Sequence, residues 1–356
     1  MAGAALAAAP ARAPSHEALR THCLLWAADP KSPWAMAHGV TALGTAFAAS
    51  DGRRAANVIV GDFLTQAPEG SLNPYAFAHF APDGTPIEPH ANLNAKTLVL
   101  AGLPPSTKFK TSFGQVTLQQ LTDGVQRGFL HAPASEEYWR TMAWTLDLLS
   151  ALHTPGPGAV FKNGAGDSVD LDQVMDDGLA YLEKAEEDLA EGLAKGQPEV
   201  PKRKQGIYAH NCGGLHLVQA VNSWARFPAV RKRWGARFTR QVDVLFYRLG
   251  SEARQYDAAL AAAPQYKLQI LVQMVKFYGH FLETAGRLKA DGSIVPTEEQ
   301  KRTVEKAKAL LDHAVRELQA AKAFESMDSL KKSQPQVYLD LIGDSCHAAH
   351  GWDYWR

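Results

Sequence analysis

Two cysteines in this chain are each followed, four residues on, by a histidine: Cys212-Gly-Gly-Leu-His216 and Cys346-His347-Ala-Ala-His350. Positions i and i+4 share one face of a helix, so each pair can aim a sulfur and an imidazole at one point. Two such pairs brought together make a soft Cys/His donor set of the kind zinc prefers. The metal candidates are therefore Cys212, His216, Cys346, His347 and His350. Four bound ligands would close the ion's coordination and make the site structural. Three would leave a position for water or substrate and make it catalytic. The same cysteines also read as small buried apolar residues, or as the two ends of a Cys212–Cys346 disulfide.

His38 and His90 are candidate acid/base groups, with Glu88 or Asp62 as carboxylate partner. His38 precedes Gly39 in an apolar segment, and His90 follows Glu88-Pro89. The Gly213-Gly214 pair reads as close helix packing or, alternatively, as backbone amides open to an anion. The chain lacks a G-x-S-x-G elbow, a Walker loop, a strand-borne G-x-G-x-x-G, H-E-x-x-H and C-x-x-C-H.

Helices must position these residues. Apolar periodicity predicts them over Ser15–Ala28, from Pro33 to Ser50, and over His90–Gly102, Leu118–Phe129, Ser135–His153 and Asp170–Lys195. Further helices are expected over Tyr208–Arg226, Ala229–Ala261, Gln265–Leu288, Thr297–Phe324 and Pro335–His347. The β-branched run Asn57–Asp62 reads as a short strand. Together with the Pro- and Gly-rich stretch Pro68–Pro89, it predicts a small strand/loop insertion near residues 55–88. About a dozen helices, alternately apolar all round and amphipathic, predict an all-α fold of helical hairpins in two concentric layers. The segments starting at Pro33, His90, Tyr208 and Pro335 are the inner candidates, each with a histidine near one end.

This rhythm resembles the α/α-toroid architecture of terpene cyclases, protein prenyltransferases and lanthionine cyclases. Lanthionine cyclases hold a catalytic zinc with two cysteines and one histidine, the last two being an adjacent Cys-His followed by Gly. The resemblance implies Cys212, Cys346 and His347 as ligands here, with Ala348 where that family has glycine. It also implies a single toroid domain over 15–356 with an active site in its central cavity. Toroids host polysaccharide lyases and glycosidases as well, so the architecture leaves the reaction open.

Composition bounds the partners. Lys and Arg total 37 and Asp and Glu total 37, so no net charge draws the chain to nucleic acid. No apolar run is long enough to span a membrane. The basic run Arg226–Arg240 reads as a surface balanced by the acidic helix that starts at Asp170. The first thirteen residues, small and apolar and ending Ala-Arg-Ala, resemble the end of an export signal, so residues 1–14 are expected to be a disordered leader. The expected destination is then periplasmic or extracellular; without a signal it is the cytoplasm. Three functions follow: a zinc-dependent enzyme, a metal-free carbohydrate lyase or glycosidase using His38, His90 and Glu88, and a non-catalytic secreted binding protein. The ligand would be a small molecule, a peptide or a carbohydrate.

Overall fold

Eight of the α-helices begin where a proline or a short polar side chain takes care of the first unpaired amides. The computed structural model describes residues 13–356. Helix accounts for 66% of the structure, in 15 α-helices. The first seven are α1 (Pro14–Trp26), α2 (Pro33–Leu43), α3 (Ala55–Phe63), α4 (Leu93–Leu100), α5 (Leu118–Gly128), α6 (Glu136–Leu152) and α7 (Leu171–Ala185). Then follow α8 (Glu187–Ala194), α9 (Leu215–Asn222), α10 (Pro228–Trp234), α11 (Ala236–Ala262) and α12 (Lys267–Ala290). The last three are α13 (Glu298–Ala320), α14 (Met327–Ser333) and α15 (Pro335–Asp353). Proline opens α1, α2, α10 and α15, where its missing N–H costs nothing. Thr117 with Gln120, and Thr297 with Gln300, form capping boxes on α5 and α13.

The strands are three short antiparallel hairpins: β1 (Leu64–Gln66) with β2 (Tyr75–Phe77), β3 (Lys108–Thr111) with β4 (Gly114–Thr117), and β5 (Val160–Lys162) with β6 (Ser168–Asp170). The expected strand Asn57–Asp62 is instead helix α3. Val58, Ile59 and Val60 are all buried, and a run apolar on every side carries no period to separate the two states. Packing against α2 outweighs the few tenths of a kcal/mol by which β-branched residues disfavour helix. The expected helix Asp170–Lys195 breaks in two at Glu186, whose backbone leaves the helical region with φ −105°.

Six helices are linked by a cycle of pairwise contacts. α15 packs on α2, α2 on α4, α4 on α6, α6 on α9, α9 on α12, and α12 on α15. Seven of the others lie against these, α1 and α14 on α15, α3 on α2, α5 on α4, α7 on α6, and α11 and α13 on α12, while α8 and α10 pack on α11. One continuous apolar core runs through nearly all of them. The closest approach is between α12 and α15. A Cβ on Gly351 would lie 2.7 Å from the Glu283 backbone nitrogen, and one on Gly279 2.8 Å from Ala348. Only hydrogen side chains allow that contact, and it brings Glu283 beside His347.

The basic run meets the acidic helix as expected. Arg233 reaches Asp172 at 2.8 Å and Asp176 at 3.0 Å, and Arg237 reaches Glu183 at 2.6 Å. The C-terminal aromatics seal the chain end: the Trp355 indole N–H donates to the Leu282 carbonyl. Residues 1–12, and with them most of the expected leader, lie outside the described residues; Pro14 already begins α1 and Ser15 is buried. No helix among the described residues is long and apolar enough to cross a membrane.

Candidate functional site

Cys212 is not helical. It sits in a tight turn before α9 with φ 50° and ψ 34°, followed by Gly213 at φ 60° and Gly214 at φ 79°. A non-glycine residue held left-handed costs roughly 1 kcal/mol or more, and such strain tends to gather at functional positions. The glycines answer a packing need as well as a backbone one. A Cβ on Gly213 would meet the buried Arg248 guanidinium at 2.6 Å, and one on Gly214 would run into Ile207 at 2.4 Å. The chain enters α9 at Leu215, so His216 falls in the first turn. Cys212 and His216 therefore meet through a turn and not along one helical face.

Four of the six central helices each supply a histidine to one cavity: His38 from α2, His216 from α9, His280 from α12 and His347 from α15. Ring centroids of His280 and His347 are 4.1 Å apart, of His216 and His280 4.6 Å, and of His38 and His347 5.0 Å. The donor atoms of Cys212, His216 and His280 all lie within 4.8 Å of one another, as do those of His280, Glu283 and His347. α6 adds Trp144 to the cavity. α4 places Lys96 beside the central Asp147, which Arg287 also grips with two hydrogen bonds.

Hydrogen bonds fix the imidazole tautomers. The His38 Nδ1 lies 2.7 Å from the Trp34 carbonyl and the His347 Nδ1 lies 2.8 Å from Glu283 Oε2. A carbonyl or a carboxylate can only accept, so each Nδ1 carries the proton and each Nε2 keeps a lone pair. Burial lowers the pKa of His38, His216 and His347, helped by neighbouring histidines, and keeps them neutral. His280 goes the other way: burial opposes its charge, but Cys212, Asp344 and Glu283 raise its pKa well above the usual histidine range. Glu283, despite burial, is held ionised by His347, His280 and His350.

The cavity holds about 290 Å³. Lys276 stands in its wall, 2.9 Å from Asp340 and 3.6 Å from Asp344. His90 also lines it, stacked face to face on Trp144 at 3.9 Å and lowered by burial to a pKa of about 4.

Several sequence expectations need correction here. Cys346 is not available to a metal, because its sulfur is joined to Cys23 in a disulfide linking α15 to α1 across 323 residues. The Cys212–Cys346 bond is excluded for the same reason, and Cys212 is the free cysteine. His350 faces a second cavity of about 130 Å³, with Lys96, Arg287 and Tyr354, while its Nδ1 donates to Glu283 Oε1 at 2.7 Å. Glu88 does not partner His90. Its Oε1 accepts the Asn94 N–H at 2.8 Å near the start of α4, and burial raises its pKa to about 8. Asp62 lies at the surface, ion-paired to Arg53.

Compared with protein-family models, curated proteins and solved structures, the chain matches none.

Among the residues that the structure adds and sequence reasoning passed over are His280 and Glu283. Their signal was present: a histidine and a glutamate three apart interrupt the otherwise apolar Phe277–Ala285 stretch of a helix. Ionisable groups on a buried helical face need partners, and partners imply a site.

Proposed function

We propose that this chain is a metal-dependent enzyme on an α/α toroid, with zinc held by Cys212, His216 and His280 at the wall of the central cavity. The observation that carries this reading is the mutual approach, within 4.8 Å, of one sulfur and two imidazole nitrogens beside a cavity of about 290 Å³. The cyclic packing of α2, α4, α6, α9, α12 and α15 supports the toroid. The donor set fits the ion: one thiolate and two imidazoles suit zinc, and three protein ligands leave a position facing the cavity. His216 is neutral, so its lone pair is free to bind. When bound, zinc would polarise a carbonyl or lower the pKa of a water molecule.

The remaining side chains supply the rest of a reaction site. His38 presents an Nε2 lone pair that accepts a proton, and its anchored Nδ1 keeps the ring from turning. Lys276 offers a cation to an oxyanion. Trp34 and Trp144 form apolar walls. A cavity of this size suits a small molecule, or one residue of a peptide or sugar chain. The Cys23–Cys346 disulfide supports export to an oxidising compartment.

Elemental analysis of the purified protein tests the reading: about one zinc per chain is expected, lost in Cys212→Ser. Zinc retained in that variant rejects the ligand set. No zinc, with rapid alkylation of Cys212 by iodoacetamide, would favour a thiol–imidazole pair of Cys212 and His280 working without an ion.

A further inference from the structure

The two donor groups at the centre share a single residue, His280, and the shared residue has two nitrogens. Its Nδ1 lies 3.7 Å from Glu283 Oε2, and its Nε2 lies 3.5 Å from Asp344 Oδ1. Both separations are too long for hydrogen bonds. The separation from Glu283 is close to the spacing of roughly 3.0–3.6 Å expected between two ligands of one ion with metal–donor bonds near 2.1 Å. The His280 ring is enclosed, and its Nε2 has no hydrogen-bond partner. Unpaired polar atoms at such depth ask for an explanation, and an ion is one.

We propose that the centre takes two cations bridged by His280 as an imidazolate, its ring protons released to solvent as the ions bind: zinc on the Cys212 and His216 side, and a harder divalent ion on the side of Glu283 and His347. The inference extends the zinc reading above, because both positions depend on the same imidazole. The second donor set, two histidines and one carboxylate, suits manganese or ferrous iron better than a thiolate site does. Glu283 is prepared for the role. Its Oε1 is held by His350 Nδ1 at 2.7 Å, which leaves Oε2 as the oxygen approached by both His280 and His347. The His347 Nδ1 proton, donated to Oε2, occupies the place an ion would take.

Metal counting separates the two positions. The chelator-stripped full chain is dialysed against zinc chloride, then manganese chloride, and bound metals are measured per chain with folding checked by circular dichroism. About one zinc and one manganese are expected. Cys212→Ser should lose zinc and keep manganese; Glu283→Gln should lose manganese and keep zinc; His280→Asn should lose both. His347→Gln repeats the Glu283 test at a second residue. Zinc alone, unaffected by Glu283→Gln and His347→Gln, overturns the second position and leaves the zinc reading standing. Manganese alone, kept in Cys212→Ser, overturns the bridge and the zinc reading together. Both metals present, with one surviving in His280→Asn, overturns the bridge only. No metal in the wild-type chain overturns both proposals.

Discussion

Cysteine followed four residues later by histidine occurs twice in this chain, and the two copies end in opposite chemical states. Cys212 lies in a left-handed turn, keeps its thiol and faces the central cavity beside His216. Cys346 lies within the regular helix α15, completely buried and bonded to Cys23. Its neighbour His347, about 100° further round the helix, faces the cavity instead. One short motif thus yields a candidate ligand in a strained turn and a structural crosslink in an unstrained helix. Backbone conformation decides which way a sulfur points, and the spacing of residue types does not.

The largest expected difference is in bound metal. Cys212→Ser should reduce zinc from about one ion per chain to background, whereas Cys23→Ala/Cys346→Ala should leave it in place. Equal loss in both would erase the distinction. Stability should reverse the order. Removing the Cys23–Cys346 link should cost roughly 2–5 kcal/mol in denaturant unfolding, since it closes a very long loop of the unfolded chain. Denaturing thiol titration should count one free thiol per chain before reduction; three would dissolve the comparison.

A smaller effect sharpens the contrast in strain. With both proteins in excess chelator, Cys212→Gly should raise stability by about 1 kcal/mol over wild type, because glycine takes φ 50° without penalty. A loss of stability would mean that the thiol's contacts matter more than the backbone strain. The smallest effect at neutral pH belongs to His90→Gln, which should cost about 1 kcal/mol of ring stacking on Trp144. Its pH dependence is more telling. His90 has a folded pKa of about 4 against 6.5 unfolded, so the unfolded chain takes up the proton first as pH falls. Wild-type stability should therefore decline from pH 6.5 toward 4, and His90→Gln should flatten that slope in thermal melts.

Much of the scaffold was legible in the chain. Pro33 and Pro335 mark helix starts, Thr297 caps α13, and apolar periodicity finds most helices, though it misses α14, reads α3 as a strand and joins α7 to α8 and α10 to α11. The acidic Asp172–Glu183 face and its basic partners Arg233 and Arg237 are visible as complementary runs. Of the candidate site residues, His38, His90, His216 and His347 all reach the cavity, together with Cys212. Glu88 does not, because a carboxylate near the start of a helix can serve backbone amides as well as catalysis, and sequence cannot tell which. His280 and Glu283 escaped notice because neither belongs to a named motif.

Local rules of backbone and side chain, written in the residues themselves, were enough to determine most helices, their caps and the supply of imidazoles. Those are interactions over one or two turns, and they repeat wherever the same residues recur. Which cysteine finds which, and which histidines share a cavity, was decided only by tertiary structure. Cys23 and Cys346 meet because the first helix lies against the last, and four histidines from four helices converge because α2, α9, α12 and α15 surround one centre. Such contacts join residues hundreds of positions apart, and no spacing along the chain encodes a distance across it.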